Sequence, residues 1–295
     1  MNLKEMTSVV GMHRSGTSVT AHLIHELGIP VIGDEQFLRQ GNAHNPRGYW
    51  ETGELVTINN RILYHLGGDW QTLPPMTESW WQSRTLRSLA VRARQFLERI
   101  EGSHRAWKDP RLSLTLPLWQ KIMGELGITE RYIVCVRHPA DVARSLMRRN
   151  QISQEQAIAL WMTYTYYAVK YTKGTARMPI LYEDLLQPDN TAILHNLAQF
   201  LNRKEIPTTS HTVVDPELSH GKYHAKDPKD SDPLPEFVQK LWLQVLGWTR
   251  RTVQDNEILL DFEALLPHSH SALILGKYKV KGWASDIKMR WLEEW

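Results

Sequence analysis

Four short apolar runs recur along the chain, and each gives way to a turn and then to residues of helical spacing. They are TSVVGM (7–12), HRAWK (104–108), RYIVCVR (131–137) and MPILYE (178–183), and IPVIG (29–33) reads as a fifth. Runs that stay apolar on both faces suit strands buried on both sides of a parallel sheet, and their alternation with helical segments predicts βαβ units. HRAWK carries this signal least strongly. Helical periodicity is read over 17–27, 53–66, 79–100, 115–126, 139–149, 153–173, 190–201 and 235–256. Pro139 suits a first helical position, and Gly28 stands where the first helix needs a C-terminal cap. The expected fold class is α/β, a central parallel sheet flanked by helices, in one domain over 1–295.

Two segments fall outside this rhythm. Residues 202–235 include DPELSHGKYHAKDPKDSDPLP, the polar, proline-rich composition of a long surface loop. The last stretch, 257–295, ends in GKYKVKGWASDIKMRWLEEW, where basic and apolar residues mix without a period, and it receives no element. No internal repeat is visible.

Composition narrows the function classes. With 42% hydrophobic and 23% charged residues over 295 positions, a substantial core is expected. A formal charge of +3 is too small and too dispersed for a nucleic-acid partner, yet compatible with a small polyanion. Cys135, the only cysteine, lies within an apolar run, so no disulfide framework or cysteine metal site is expected. The 13 histidines show no H-E-x-x-H spacing, and His211, His220 and His224 read as solvated, so no metal is expected. The start MNLKEMTSVV lacks a signal-peptide pattern and no run of 18 apolar residues occurs, which points to the cytoplasm and no transmembrane segment.

The candidate chemistry begins at SVVGMHRSGTSVTAHLI (8–24). Gly11 ends a strand, Gly16 follows five residues later, and Thr17 and Ser18 open a helix. This is nearly a phosphate-binding P-loop, but the lysine position of G-x-x-x-x-G-K-[ST] holds Thr17 and the positive charge sits at Arg14. Backbone N–H groups and a helix N-terminus still converge on an anion there, with Arg14 as a bidentate fork. A magnesium-dependent P-loop enzyme also needs a carboxylate at the end of a later strand. Here YIVCV ends in Arg137, and VRHPADVARS, with Ser145 about two turns into its helix, reads as a second phosphate cradle.

At these residues the sequence resembles the sulfotransferases that use 3′-phosphoadenosine 5′-phosphosulfate (PAPS). The form RSGTS is similar to the tyrosylprotein and carbohydrate branches and to bacterial members. WKDPRLSLTLPLWQ (107–120) resembles the K-D-P segment of tyrosylprotein sulfotransferases, and LYEDLL (181–186) the family's Y-E-D-L segment. The resemblance implies a P-loop-NTPase-like sheet. It implies that His13, Arg14, Ser15, Gly16, Thr17 and Ser18 bind the 5′-phosphosulfate, that Arg137 and Ser145 bind the 3′-phosphate, and that Tyr182 lines the donor. Arg14 and Lys108 would act on the transferring group, and the acceptor would be a small-molecule or glycan hydroxyl.

The proton acceptor stays open. An ungapped count from Arg14 places the family's glutamate at Glu35, whereas NPRGYWETGEL delivers Glu51 to a helix start at a cleft rim. Either residue, or neither, fits, and Asp34 and Asp109 are weaker candidates; Asp109 reads as orienting the KDPR turn. Trp70, Trp80, Trp81 and Trp107 are acceptor-ring candidates that more often serve a core. Lys222 and Lys226 stand where a basic loop would close over the nucleotide. Two other classes remain, a metal-dependent nucleotide kinase and a non-catalytic nucleotide-binding module.

Overall fold

The structure, a computed structural model, describes residues 3–33, 38–41, 45, 47–74, 76–214, 234–252 and 254–265. Four parallel strands, β1 (Glu5–Gly11), β2 (His104–Lys108), β3 (Thr129–Val136) and β4 (Ala176–Leu181), stand in the order β2-β1-β3-β4. Central β1 has Val9 opposite Lys108 on one side and Gly11 opposite Cys135 on the other. The helices are α1 (Thr17–Glu26), α2 (Gly53–His65), α3 (Arg87–Glu98), α4 (Leu112–Glu125), α5 (Pro139–Asn150) and α6 (Gln154–Tyr171). After β4 come α7 (Tyr182–Leu185), α8 (Thr191–Phe200), α9 (Thr208–Val213), α10 (Glu236–Thr249) and α11 (Asp255–Leu265).

Side-chain alternation explains why the strands read as continuous apolar runs. Met6, Val10, Trp107, Tyr132 and Val134 face a core shared with α2 to α6, α10 and α11. Val9, Ala106, Ile133 and Cys135 face the opposite core, covered by α1, α8 and α9. With helices on both faces, both sides of the strands carry buried apolar residues. Cys135 is buried, with its Sγ 3.3 Å from Thr20 Oγ1, and burial pushes its proton affinity up to about 12, so it is an inert packing thiol.

Several boundaries differ from the sequence expectation. The segment 29–33 contributes one bridge, Val31 to Ala106, with Ala106 N donating to Pro30 O at 3.0 Å and Ile32 N to Ala106 O at 2.8 Å. Gly33, at φ 133°, ends the extended course there. The expected helix 79–100 begins as two 3₁₀ turns, Trp80–Gln82 and Arg84–Leu86, because Ser79 is left-handed and Ser83 is extended at ψ 135°. The helix 235–256 stops at Thr249, since Arg251 takes φ 60° and Thr252 N closes on Gly247 O at 2.8 Å.

The polar loop 202–235 contains α9, and 215–233 lie outside the described residues; α11 covers the beginning of 257–295, and 266–295 lie outside them. Among the described residues, no helix is long and apolar enough to cross a membrane.

Candidate functional site

The first loop is shaped by positions that only glycine fills without strain. Gly11 presses β1 against β3 so closely that a Cβ there would stand 2.4 Å from the Cys135 carbonyl oxygen. Its N–H donates to Ser113 Oγ of α4 at 2.9 Å. Gly16, at φ 85°, caps α1, and a Cβ on it would stand 2.4 Å from Cδ2 of Tyr182. Arg14 between them is also left-handed, at φ 69°. A non-glycine residue in that region stores strain, a recurrent property of ligand-binding loops.

The four strands among the described residues all end at this edge of the sheet, where ligands of open parallel sheets collect. Arg14 Nε donates to Ser145 Oγ of α5 at 2.8 Å, and Arg137, just past β3, donates to the Arg14 carbonyl at 3.0 Å. The guanidinium of Arg137 lies 4.6 Å from the ring centroid of Tyr182, the ring that rests against Gly16. The sequence suggested two separate cradles; the structure joins them, because Ser145 pairs with the arginine of the first loop.

Positive charge is concentrated here. Burial, and then the like charges of Arg149 and Arg137, lower the proton affinity of Arg14. Arg137 is 7% exposed, and its buried Nε makes no hydrogen bond among the described residues. A buried charged donor left without a partner is costly, so this site suits an anion. Glu183 stands nearby, accepting from His138 N at 2.9 Å, and burial raises its proton affinity, which weakens it as a counter-ion.

Lys108 occupies the neighbouring strand end and is 2% exposed. Its Nζ donates to Glu51 Oε1 at 2.5 Å, to the Tyr49 carbonyl at 2.9 Å and to Ser18 Oγ at 3.2 Å. Ser18 in turn donates to the Tyr49 carbonyl at 3.1 Å and accepts from Asn45 Nδ2 at 3.3 Å. Arg111 lies 3.8 Å from Glu51 Oε2 and is braced by Asp109 at 2.8 Å. Burial disfavours the Arg111 charge, but Asp109 and Glu51 outweigh it and raise its proton affinity. Asp109 also accepts from Asn59 Nδ2 at 2.8 Å, and Asn59 accepts from Thr115 and Trp119, each at 2.8 Å. This buried network fixes the turn that carries Lys108.

Of the residues singled out in the sequence, His13 through Ser18, Lys108, Glu51, Arg137, Ser145 and Tyr182 therefore come to one edge of the sheet. Ser15 and Thr17 are buried at 2% and 4%, within the loop. Glu35, Asp34, His220, His224, Lys222 and Lys226 lie outside the described residues. Trp107 and Trp80 are core residues and Trp81 packs against that core, whereas Trp70 is half-buried against His13. Arg111, next to the K-D-P segment, and Tyr164 were not singled out; a cation directly after Lys108-Asp109-Pro110 was the available signal. Among the described residues, no group of three or more His, Cys, Asp or Glu side chains is placed to hold a metal. A groove of about 530 Å³ lined by Leu181, Phe200 and Arg250 opens elsewhere and carries none of the loop residues.

No protein-family model matches this chain, and no curated protein matches it. Among solved structures, it is similar to the sulfotransferase domain of the olefin synthase of Synechococcus PCC 7002, with 20% identity and a TM-score of 0.44 over 78% of this chain and 90% of that one. It is also similar to the sulfotransferase domain of the curacin biosynthetic pathway, with 16% identity and a TM-score of 0.48 over 83% of this chain and 99% of that one.

Proposed function

We propose that this chain transfers a sulfuryl group from PAPS to a hydroxyl acceptor, a carbohydrate or a small metabolite, by in-line displacement without a metal. The observation that carries the reading is Arg137. It leaves β3 where a magnesium-dependent P-loop enzyme needs a carboxylate, and its buried, unpartnered Nε offers a donor to a second anion beside the first loop. A ligand with two separated anionic groups, such as an adenosine 3′,5′-bisphosphate, matches that demand. The loop form RSGTS, similar to that of the tyrosylprotein and carbohydrate branches and of bacterial members, is in keeping with this reading.

In this reading the loop 13–18 and Arg14 hold the 5′-phosphosulfate, while Arg137, Ser145 and Tyr182 hold the nucleotide's other end. Sulfuryl transfer depends mainly on positioning and on cations at the oxygens that gain charge. Lys108 is pre-positioned for this role by three hydrogen bonds, one of them to Ser18 of the loop. Incubating the protein with PAPS, a chelator and a panel of carbohydrate and small-metabolite hydroxyls should release adenosine 3′,5′-bisphosphate in an acceptor-dependent way. Turnover that appears only with a nucleoside triphosphate and magnesium would assign the site to a kinase instead. Tight bisphosphate binding without release on any acceptor would favour a non-catalytic module.

A further inference from the structure

His13 carries chemistry that binding the donor does not require. Its ring packs 4.4 Å from that of Trp70 and edge-on, 5.8 Å, to that of Tyr164, whose hydroxyl donates to the Trp70 carbonyl at 3.1 Å. Its Nε2 is buried and makes no hydrogen bond with any described residue. In the tautomer that leaves Nε2 unprotonated, this is a buried lone pair without a donor, beside the cations of the first loop and of the β2 end.

Four cations act on this ring, and Asp69, next to Trp70, acts on the Tyr164 packed against it. Arg14 belongs to its own loop, Lys108 ends β2, Arg111 follows it, and Arg149 lies near the end of α5. The carboxylates closest to these cations, Glu51 and Asp109, are already engaged by Lys108 and Arg111, and Tyr164 faces the ring from α6. Burial first, and then Arg111, Lys108, Arg149 and Arg14, hold the imidazole's proton affinity well below its ordinary value. Two of these cations, Arg14 and Lys108, are the ones a phosphosulfate would neutralise.

We propose that His13 is the proton acceptor of this site and becomes competent only when an anionic donor occupies the neighbouring cations. The proposal rests on the PAPS reading and deepens it. In the loaded site the acceptor hydroxyl gives its proton to the free imidazole nitrogen as its oxygen forms the new bond to sulfur. The bond from sulfur to the bridging oxygen of the 5′-phosphate breaks, and its electron pair leaves with adenosine 3′,5′-bisphosphate. The imidazolium then lies beside that anion, and its proton passes to solvent as the product leaves. Glu51 is less suited to the role, since one oxygen holds Lys108 at 2.5 Å and the other faces Arg111 at 3.8 Å. Linking proton affinity to occupancy also keeps the base silent in the empty site.

Adenosine 3′,5′-bisphosphate supplies a test that needs no acceptor. Calorimetric titration at pH 6 in two buffers of different ionisation heat counts the protons taken up per ligand bound. The wild-type protein should take up about half a proton more than His13→Gln, which keeps a polar side chain but cannot titrate. Equal proton counts in the two proteins would overturn the proposal. If His13→Gln fails to fold, the ring ¹⁵N signals of wild-type His13, identified through contacts with Trp70 and Tyr164, carry the same decision. Movement towards imidazolium values on adding ligand supports the proposal, and unchanged signals with ligand bound reject it. Failure of the wild-type protein to bind the bisphosphate at all would instead remove the PAPS reading.

Discussion

Gly16→Ala tests whether the first loop, Tyr182 and Arg137 act as one assembly. Two costs are expected. An alanine at φ 85° pays roughly 1–2 kcal/mol for the left-handed conformation. Its methyl would also stand 2.4 Å from Cδ2 of Tyr182, an overlap of the kind that costs about 1–3 kcal/mol when a packed region must shift. Together these predict a loss of about 2–5 kcal/mol in urea unfolding. Gly28→Ala is the control, because Gly28 has a similar φ of 81° with nothing within 4 Å, so only the first cost applies. The Tyr182 ring supports Arg137 at 4.6 Å, so displacing it should weaken bisphosphate binding by about 10- to 100-fold, the loss of one charge-assisted hydrogen bond. Gly28→Ala should leave binding unchanged. In a double-mutant cycle, Tyr182→Ala should recover the overlap cost and leave the conformational one. Equal effects of Gly16→Ala and Gly28→Ala on both stability and affinity would refute this account of the loop.

Lys108→Ala should lower turnover by about 10²–10³ while leaving bisphosphate affinity within a few-fold, since its proposed role is at the transferring group. A loss confined to ligand affinity in steady-state and binding measurements would move Lys108 out of the transfer step. Away from the site, burial raises the Glu130 carboxyl from 4.5 to about 7. Its stabilising contribution is therefore full below about pH 4.5 and is lost as pH rises through 7. Allowing for its partial exposure, Glu130→Gln should be more stable than wild type at pH 8 by about 1–2 kcal/mol and nearly equal at pH 5. Urea unfolding at both pH values measures this, and an unchanged pH slope would show that Glu130 is not held protonated.

Much of the fold was legible because burial on both faces leaves a continuous apolar run in the sequence. RYIVCVR shows this plainly, and even HRAWK forms a strand, with Ala106 and Trp107 on opposite faces. The breaks that pattern reading missed, at Ser79 and Arg251, are single non-glycine residues in left-handed conformations. Periodicity carries no trace of such positions. The site was legible where topology alone gathers residues, since parallel strands bring Arg14, Lys108, Arg137 and Tyr182 to one edge. It was illegible where side chains choose among neighbours. Arg14 and Ser145 meet across 131 positions, and the packing of His13 on Trp70 depends on a loop course that no local pattern records. The structure places Glu51 on Lys108, a contact that spacing alone could not supply.

The most direct measurement is the thermal stability of the wild-type protein with adenosine 3′,5′-bisphosphate in chelator, set against ATP with magnesium. A ligand that binds only the folded protein stabilises it by about 2.7 kcal/mol at 100 times its Kd. The account predicts a concentration-dependent rise in Tm with the bisphosphate and little or none with magnesium ATP. A rise with magnesium ATP alone would contradict it.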